Sequence, residues 1–442
     1  MEPSLNQKVF YVIVVHGIGE QKLNSTVTPV INRFAEVIKR VCLPQKEKVK
    51  DLIPLGMVTA QTGHPRKKDD LTFLQEQPWA EFENIRADGT ICAPFEPEVG
   101  TSGENIRFVE MYWADILNDN FEMSGQDVLQ WSKTLINRME NRDREDETWL
   151  LEFLKQVNAL ALLFYRLLSL RAPGVKQLIF QHFLGDVQIY GENPWVRGQA
   201  CARFHNLMHK ISQFHQQRNP DKEAQYIILA HSLGSVLALD ALALAHYKKE
   251  ILEEVHQNKI PNIPFPGFKD MLDEEVLGEK EAEDSIGGQW IHQVKALVTL
   301  GSPIDKFLAL WPANYAYLDE MYKTGDGAYF HVPSHRIQHF NYCDEQDPVG
   351  HKLEILRRRD KYDLIFENAH EEIFHRYSIP GLAHNLYWQD ADLFERIYQD
   401  TINPEFKGQV DRNSEKNMEG FKKSPSQYWK SVFASYLFFP LL

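Results

Sequence analysis

Apolar residues run unbroken through Lys8–Val15 (KVFYVIVV) and stop at His16-Gly17-Ile18-Gly19. A β-branched run closed by a glycine turn predicts a buried parallel strand. From Thr28 to Cys42 the spacing changes: Val30, Ile31, Phe34, Val37 and Ile38 recur at helical intervals. Ile106 to Trp113 predicts a second strand, and Asn193-Pro194 opens a helix running to about Gln216. A short apolar strand follows at Gln225 to Leu229, then a helix rich in Ala and Leu from Leu233 to His246. Val294 to Leu300 and Arg336 to Tyr342 read as strands, and Asp390 to Asp400 as a helix. Strands alternating with helices predict an α/β fold: a mainly parallel sheet with helices on both faces. No repeat occurs at solenoid or propeller periods.

Three stretches break the alternation. Residues 44–105 are polar with several prolines and glycines, 124–185 are mostly helical in pattern, and 249–288 carry the acidic run Asp273 to Asp284. We read them as helical and loop insertions on one domain spanning 1–442, with a tail at 405–442. A separate helical domain at 124–185 is the alternative.

Composition narrows the function classes. The 442 residues are 43% hydrophobic and 12% aromatic, enough apolar material for a large core. The formal net charge is −14, which repels phosphate backbones and argues against nucleic acid as a partner. The residues after Met1 carry no basic region, apolar stretch and small-residue cleavage site, so no secretory signal is expected and the location is expected to be cytoplasmic. Cys42, Cys92, Cys201 and Cys343 are scattered, which points to reduced thiols rather than a disulfide frame or a zinc knuckle. His205 and His209 lie four apart on an expected helix, with His215 beyond. No Glu completes a metalloprotease motif, so a solvated helix face is expected there and no metal. Gly17-Ile18-Gly19 lacks the further glycine of a dinucleotide fingerprint, and no cofactor is expected.

The most specific signal is Ala230-His231-Ser232-Leu233-Gly234, set between the strand QYIIL and the helix LGSVLALDALALAH. A nucleophile elbow needs this strand-turn-helix setting. The sharp turn lifts the serine Oγ above the sheet, and small residues two before and two after it let strand and helix pass closely. The helix N-terminus then offers amides to a developing negative charge. On these residues the chain resembles the α/β-hydrolase superfamily, especially its lipase and esterase branch. That branch usually has Gly where this chain has Ala230.

What the resemblance implies can be set out residue by residue. His16-Gly17-Ile18-Gly19 looks like the oxyanion turn of compact lipases, so the amides of Ile18 and Leu233 would form the oxyanion hole; a glycine turn serving only backbone geometry is the alternative. The family's chain order, serine then acid then histidine, directs attention downstream. Asp347, in Asp-Pro-Val after the Arg336 strand, looks like the acid. Asp344 is its main rival, Glu345 a weaker one and Asp305 a fallback. His384, in Gly-Leu-Ala-His-Asn before the last helix, fits the base. His370 and His375 sit in a Glu-rich segment that reads as helical, and exposure is the better account of them. Ser302, in Leu-Gly-Ser-Pro, reads as a turn shaping the pocket floor. By the resemblance His384 takes the Ser232 proton, and Asp347 supports the imidazolium.

Two apolar stretches bear on substrate. Trp149 to Leu170 either covers the site as a greasy helical lid or packs as core. Tyr428 to Leu442 (YWKSVFASYLFFPLL) either packs back or makes peripheral membrane contact. The expected activity is carboxylic ester hydrolysis on a small-molecule or lipid ester. An acyltransferase or thioesterase on the same triad, or a non-catalytic scaffold of this fold, stays open.

Overall fold

Successive side chains of a strand point to opposite faces, and the first strand shows what that does in this chain. The computed structural model describes residues 8–17, 25–42, 55–62, 71–77, 105–118, 187–249, 251, 268–272, 285–319, 323–324, 327–328, 330, 333, 335–345, 347, 349–374 and 383–402. Strand β1 (Lys8–Val15) buries Val9, Tyr11, Ile13 and Val15 in one core and Phe10, Val12 and Val14 in another. The first core takes Ala200, Phe204 and Ile211 from one helix, and Leu233, Val236 and Leu237 from the next. The second takes Val30, Ile31 and Phe34 from a third helix, and Leu393, Phe394 and Ile397 from a fourth. A strand apolar on both faces is therefore covered on both. Each fully buried side chain of this size contributes roughly 1.5–3 kcal/mol.

In chain order the elements are β1, α1 (Val27–Cys42), β2 (Leu55–Thr62), β3 (Leu71–Gln77), β4 (Asn105–Met111) and α2 (Ala114–Asn118). Then come α3 (Pro194–Arg218), β5 (Glu223–His231), α4 (Leu233–Ala245), β6 (Val294–Leu300) and α5 (Ile304–Leu310). A two-residue pair, β7 (Lys323–Thr324) and β8 (Gly327–Ala328), stands outside the main sheet. Later come β9 (Ile337–Asp344), β10 (Phe366–Phe374), α6 (Ala383–Leu386) and α7 (Ala391–Thr401), with single helical turns at Glu354–Arg357 and Tyr362–Ile365 between β9 and β10 and short 3-10 turns elsewhere. The eight-stranded sheet has the order β10-β9-β6-β5-β1-β4-β2-β3. Neighbours are parallel except β3, which pairs antiparallel with β2 at one edge. The molecule is thus α/β, with a mostly parallel sheet.

Several expected elements differ from those observed. Part of the polar stretch 44–105 forms β2 and β3 and extends the sheet. The Glu-rich segment around His370 is the edge strand β10, not a helix. Its parallel pairing with β9 supplies the backbone partners that override its local helical composition. His205, His209 and His215 do not form a solvated face: all three are buried on α3. His205 donates from Nε2 to the Ala241 carbonyl at 3.0 Å and packs edge-on against Trp290. Burial lowers its pKa to about 4. The stretches 124–185, 149–170 and 428–442, with Gly19, Cys92 and His375, lie outside the described residues, as does the side chain of Cys42.

The strand order sets up a reversal of winding. After β1 the chain builds β2, β3 and β4 on one side, then crosses over to build β5, β6, β9 and β10 on the other. The boundary between β1 and β5 is a topological switch point, where loops leaving the carboxyl ends diverge and ligands bind in open α/β sheets. Val15 is paired with Ala230, His231 with Leu300, and Leu300 with Tyr342. The residues just beyond these ends, Gly17, Ser232, Gly301 and Asp347, therefore emerge along one edge of the sheet.

Candidate active site

Ser232 occupies the one-residue bend between β5 and α4, with φ 53° and ψ −132°. It is the non-glycine residue with positive φ among those described. A side chain is strained there, by about 1–3 kcal/mol, and persists only where its surroundings hold it. They do so at several points. The Ser232 amide donates to the Leu300 carbonyl at 3.0 Å. Ser235 donates its hydroxyl to the Ser232 carbonyl at 2.6 Å and meets Ser302 Oγ at 2.7 Å. With its own hydrogen spent, Ser235 accepts from the Ser302 hydroxyl. Gly234 lets α4 pass the end of β1, since a Cβ there would lie 2.6 Å from the Val15 carbonyl oxygen. Beneath the helix, Tyr190, Tyr317 and Arg197 converge on the buried Asp240 at 2.8, 2.5 and 2.9 Å. The Ser232 Oγ itself is buried and makes no hydrogen bond among the described residues.

Asp347 and His384 come together across 37 residues of sequence. His384 Nδ1 donates to Asp347 Oδ2 at 2.9 Å and approaches Oδ1 at 3.1 Å. Tyr387 donates its hydroxyl to Oδ2 at 2.7 Å, and the Val349 amide donates to Oδ1 at 2.8 Å. Burial opposes a charge on Asp347. The neighbouring His384 and the bonds from His384, Tyr387 and Val349 outweigh it and hold the carboxyl down to about 2. Two glycines make room for the pair. A Cβ at Gly301, where φ is +55°, would fall 2.6 Å from Asp347 Oδ2 and 3.1 Å from His384 Nδ1. One at Gly350 would fall 2.8 Å from Oδ2. The carboxylate fixes Nδ1 as the protonated nitrogen of a neutral His384, which leaves Nε2 as the basic one. His384 stands on the short helix α6, where a loop was expected.

The turn after β1 reaches the same place. A Cβ on Gly17 would lie 2.7 Å from Ser232 Cβ and 3.3 Å from Ser232 Oγ. His16 holds the turn by donating from Nδ1 to the Gly17 carbonyl at 2.7 Å and accepting the Trp113 amide on Nε2 at 3.2 Å. Trp113 Nε1 donates to the His16 carbonyl at 3.0 Å. Burial lowers His16 to about 4, so it stays neutral. Ile18 lies outside the described residues. Leu233 opens α4, and its amide is one of the first-turn donors that have no intrahelical acceptor.

The rival residues have other partners. Asp344 ends β9, and its amide donates to the Tyr387 hydroxyl oxygen at 3.0 Å. Glu345 is exposed. Asp305 accepts the Ile355 and Leu356 amides at 2.7 and 3.0 Å and so caps the turn at residues 354–357. Ser302 accepts the Ile304 amide at 3.3 Å besides donating to Ser235, which leaves it a brace of the elbow. His370 is exposed on β10. Tyr387 and Lys306 enter the site with no sequence motif to mark them; the buried Lys306 Nζ donates to the Val349 carbonyl at 2.9 Å. For Tyr387 a signal was available, an aromatic three residues after His384 and so on the same helical face.

Among the described residues no group of His, Cys, Asp and Glu is arranged to hold a metal ion, and no helix is long and apolar enough to cross a membrane. No protein-family model matches the chain, and no curated protein or solved structure matches it either.

Proposed function

We propose that this protein is a serine hydrolase of the α/β-hydrolase type that cleaves carboxylic esters, lipid acyl esters among them. The observation that carries the reading is a pairing: a strained Ser232, whose Oγ makes no hydrogen bond among the described residues, and a buried Asp347–His384 couple beyond the same carboxyl ends of the sheet. A serine hydroxyl is a weak nucleophile unless a neighbouring base takes its proton, and a base works best when a third group fixes its tautomer. In this mechanism His384 Nε2 accepts the Ser232 proton while Oγ attacks the acyl carbon. The anionic Asp347 supports the imidazolium that results. The amides of Leu233 and Ile18 stabilise the tetrahedral oxyanion, each such donor being worth roughly 3 kcal/mol of barrier. His384 then protonates the departing alcohol, and water resolves the acyl-enzyme by the same steps in reverse.

The strand order and the switch-point position of Ser232 support the hydrolase form of the fold. A fluorophosphonate probe tests the reading, because it reports an activated serine whatever the natural substrate. Adduct mapped to Ser232 and absent from Ser232→Ala is the expected result. Well-folded protein that takes no label, with or without lipid vesicles, would leave a scaffold of this fold as the better account.

A further inference from the structure

His231, the residue immediately before the nucleophile, takes no part in that mechanism, yet its ring lies closer to the His384 ring than that of Tyr387 does. Its Nε2 lies 2.7 Å from the backbone carbonyl of His384. A carbonyl oxygen only accepts, so His231 Nε2 carries the proton and the ring is the neutral tautomer with a lone pair on Nδ1. The two imidazoles also lie in contact, tilted, with centroids 4.6 Å apart and planes 32° apart. Tyr387 and Trp388 enclose the His231 ring from further round, at 5.8 and 5.1 Å.

We infer that His231 is a positioning residue that locks the His384 backbone and ring onto the end of β5, and so fixes the base relative to Ser232. The inference rests on the hydrolase reading for its effect on rate, but not for its geometry. Strand β5 sits inside the sheet between β1 and β6 and is therefore held by ladders on both edges. The base arrives on a four-residue helix, 153 residues later in sequence from His231. A single hydrogen bond from the residue next to the nucleophile ties the second to the first. The closeness of the rings sets a further requirement: the partner ring must remain uncharged when His384 becomes an imidazolium. Burial, then the His384 charge, lower His231 to about 3, which meets it. The other ionisable groups around the pair are Asp347 on His384 Nδ1, Tyr387 against both rings, His16 beside His231, and Lys306 behind Asp347. Of these only the Asp347 carboxylate carries a negative charge against the base.

Two variants separate the hydrogen bond from the ring. His231→Phe keeps a ring and removes the donor. His231→Gln keeps a donor of similar reach and removes the ring. Both are compared with wild type for the rate of fluorophosphonate labelling across pH, for kcat and KM on a p-nitrophenyl ester, and for the NMR signal of the His384 Nδ1 proton shared with Asp347. A loosened base costs on the order of a hundredfold in rate. The expected result is a loss of that size in kcat for the Phe variant with little change in KM, faster exchange of the shared proton, and recovery to within about tenfold of wild type in the Gln variant. The proton signal is read again in a Ser232→Ala background, where no catalysis occurs. If that signal responds to the two variants as stated while wild type takes no label, His231 positions His384 and the hydrolase reading is the part that fails. If the Phe variant labels at the wild-type rate and keeps a slowly exchanging proton, the positioning role is overturned and the hydrolase reading stands.

Discussion

Gly17 lies against Ser232 so closely that the smallest side chain would collide with the nucleophile: its Cβ would be 2.7 Å from the serine Cβ and 3.3 Å from the Oγ. The turn after β1 and the elbow after β5 are therefore one packed unit, and a methyl at position 17 must push one of them away. Overpacking of this kind costs roughly 1–3 kcal/mol. Gly17→Ala is expected to lower the melting temperature and to slow fluorophosphonate labelling at least tenfold. A variant that labels at the full rate would show that the turn yields freely and does not constrain the serine.

The backbone at Ser232 gives a prediction that does not depend on function. At φ 53° and ψ −132° any side chain is strained, and glycine is not. Ser232→Ala keeps the strain; Ser232→Gly releases it, at an entropic cost of roughly 0.5–1 kcal/mol in the unfolded chain. The glycine variant should then be the more stable of the two by about 1 kcal/mol in urea unfolding. An alanine variant of equal or greater stability would mean that the elbow is unstrained.

Much of this site was legible because its parts are local. The apolar run of β1, the elbow residues Ala230 to Gly234 and the helix after them are adjacent in sequence, and each has a periodicity or a spacing of its own. Asp347 and His384 could be chosen only by resemblance and chain order, since no periodicity or spacing says which of Asp344, Glu345 and Asp347 turns toward a histidine 37 residues beyond the last of them. The register at the end of β9 decides that. His205, His209 and His215 misled for the opposite reason. Polar identity suggested water, but α3 is buried along nearly its whole length, and its histidines bond instead to the Ala241 carbonyl, to Gln213 and to the Lys222 carbonyl. The strand at β10 is held by its pairing with β9, a long-range effect that composition cannot report.

Tyr387 contributes one of the hydrogen bonds that keep Asp347 ionised. Removing the hydroxyl in Tyr387→Phe leaves the carboxylate with the His384 and Val349 donors, so its pKa should rise from about 2 toward the ordinary carboxylate range. A depressed carboxyl adds stability that is present above its unfolded pKa, near 3.8, and is lost as pH falls through its folded value. The variant should therefore lose less stability between about pH 4 and 2 than wild type does, and its catalytic rate near neutrality should fall about tenfold. Asp347→Asn, which removes the charge and permits the wrong histidine tautomer, should cost about 10⁴-fold in kcat. Carboxyl NMR titration and steady-state kinetics check the two effects separately. An unchanged acid titration in the phenylalanine variant would remove Tyr387 from the account.

Buried histidines weigh on the pH dependence of folding, His215 and His351 among them, since burial lowers both. Burial is the main cause that lowers His16 and His205 to about 4, and His231 and His339 to about 3. In the unfolded chain each takes a proton near pH 6.5, so between that pH and its folded value the unfolded state binds more protons and stability falls as pH falls. Each contributes about 1 kcal/mol per pH unit in that window. Asp305 acts in the other direction. Burial raises it to about 7, so it binds its proton in the folded state first and adds stability as pH falls from 7 to 3.8, offsetting about one histidine. Lys306, lowered to about 7 by burial, changes stability only above that pH. The net expectation is a steep loss of stability from about pH 6.5 to 4.5, well before Asp347 titrates. His339 lies near the sheet edge at β9 with Tyr362 and Phe366 against its ring, away from the elbow. His339→Gln should flatten the slope by about one proton without changing the pH dependence of fluorophosphonate labelling. Urea midpoints measured at half-unit pH steps on both proteins test this. A flat profile over that range in wild type would mean that these histidines already carry their protons in the folded state.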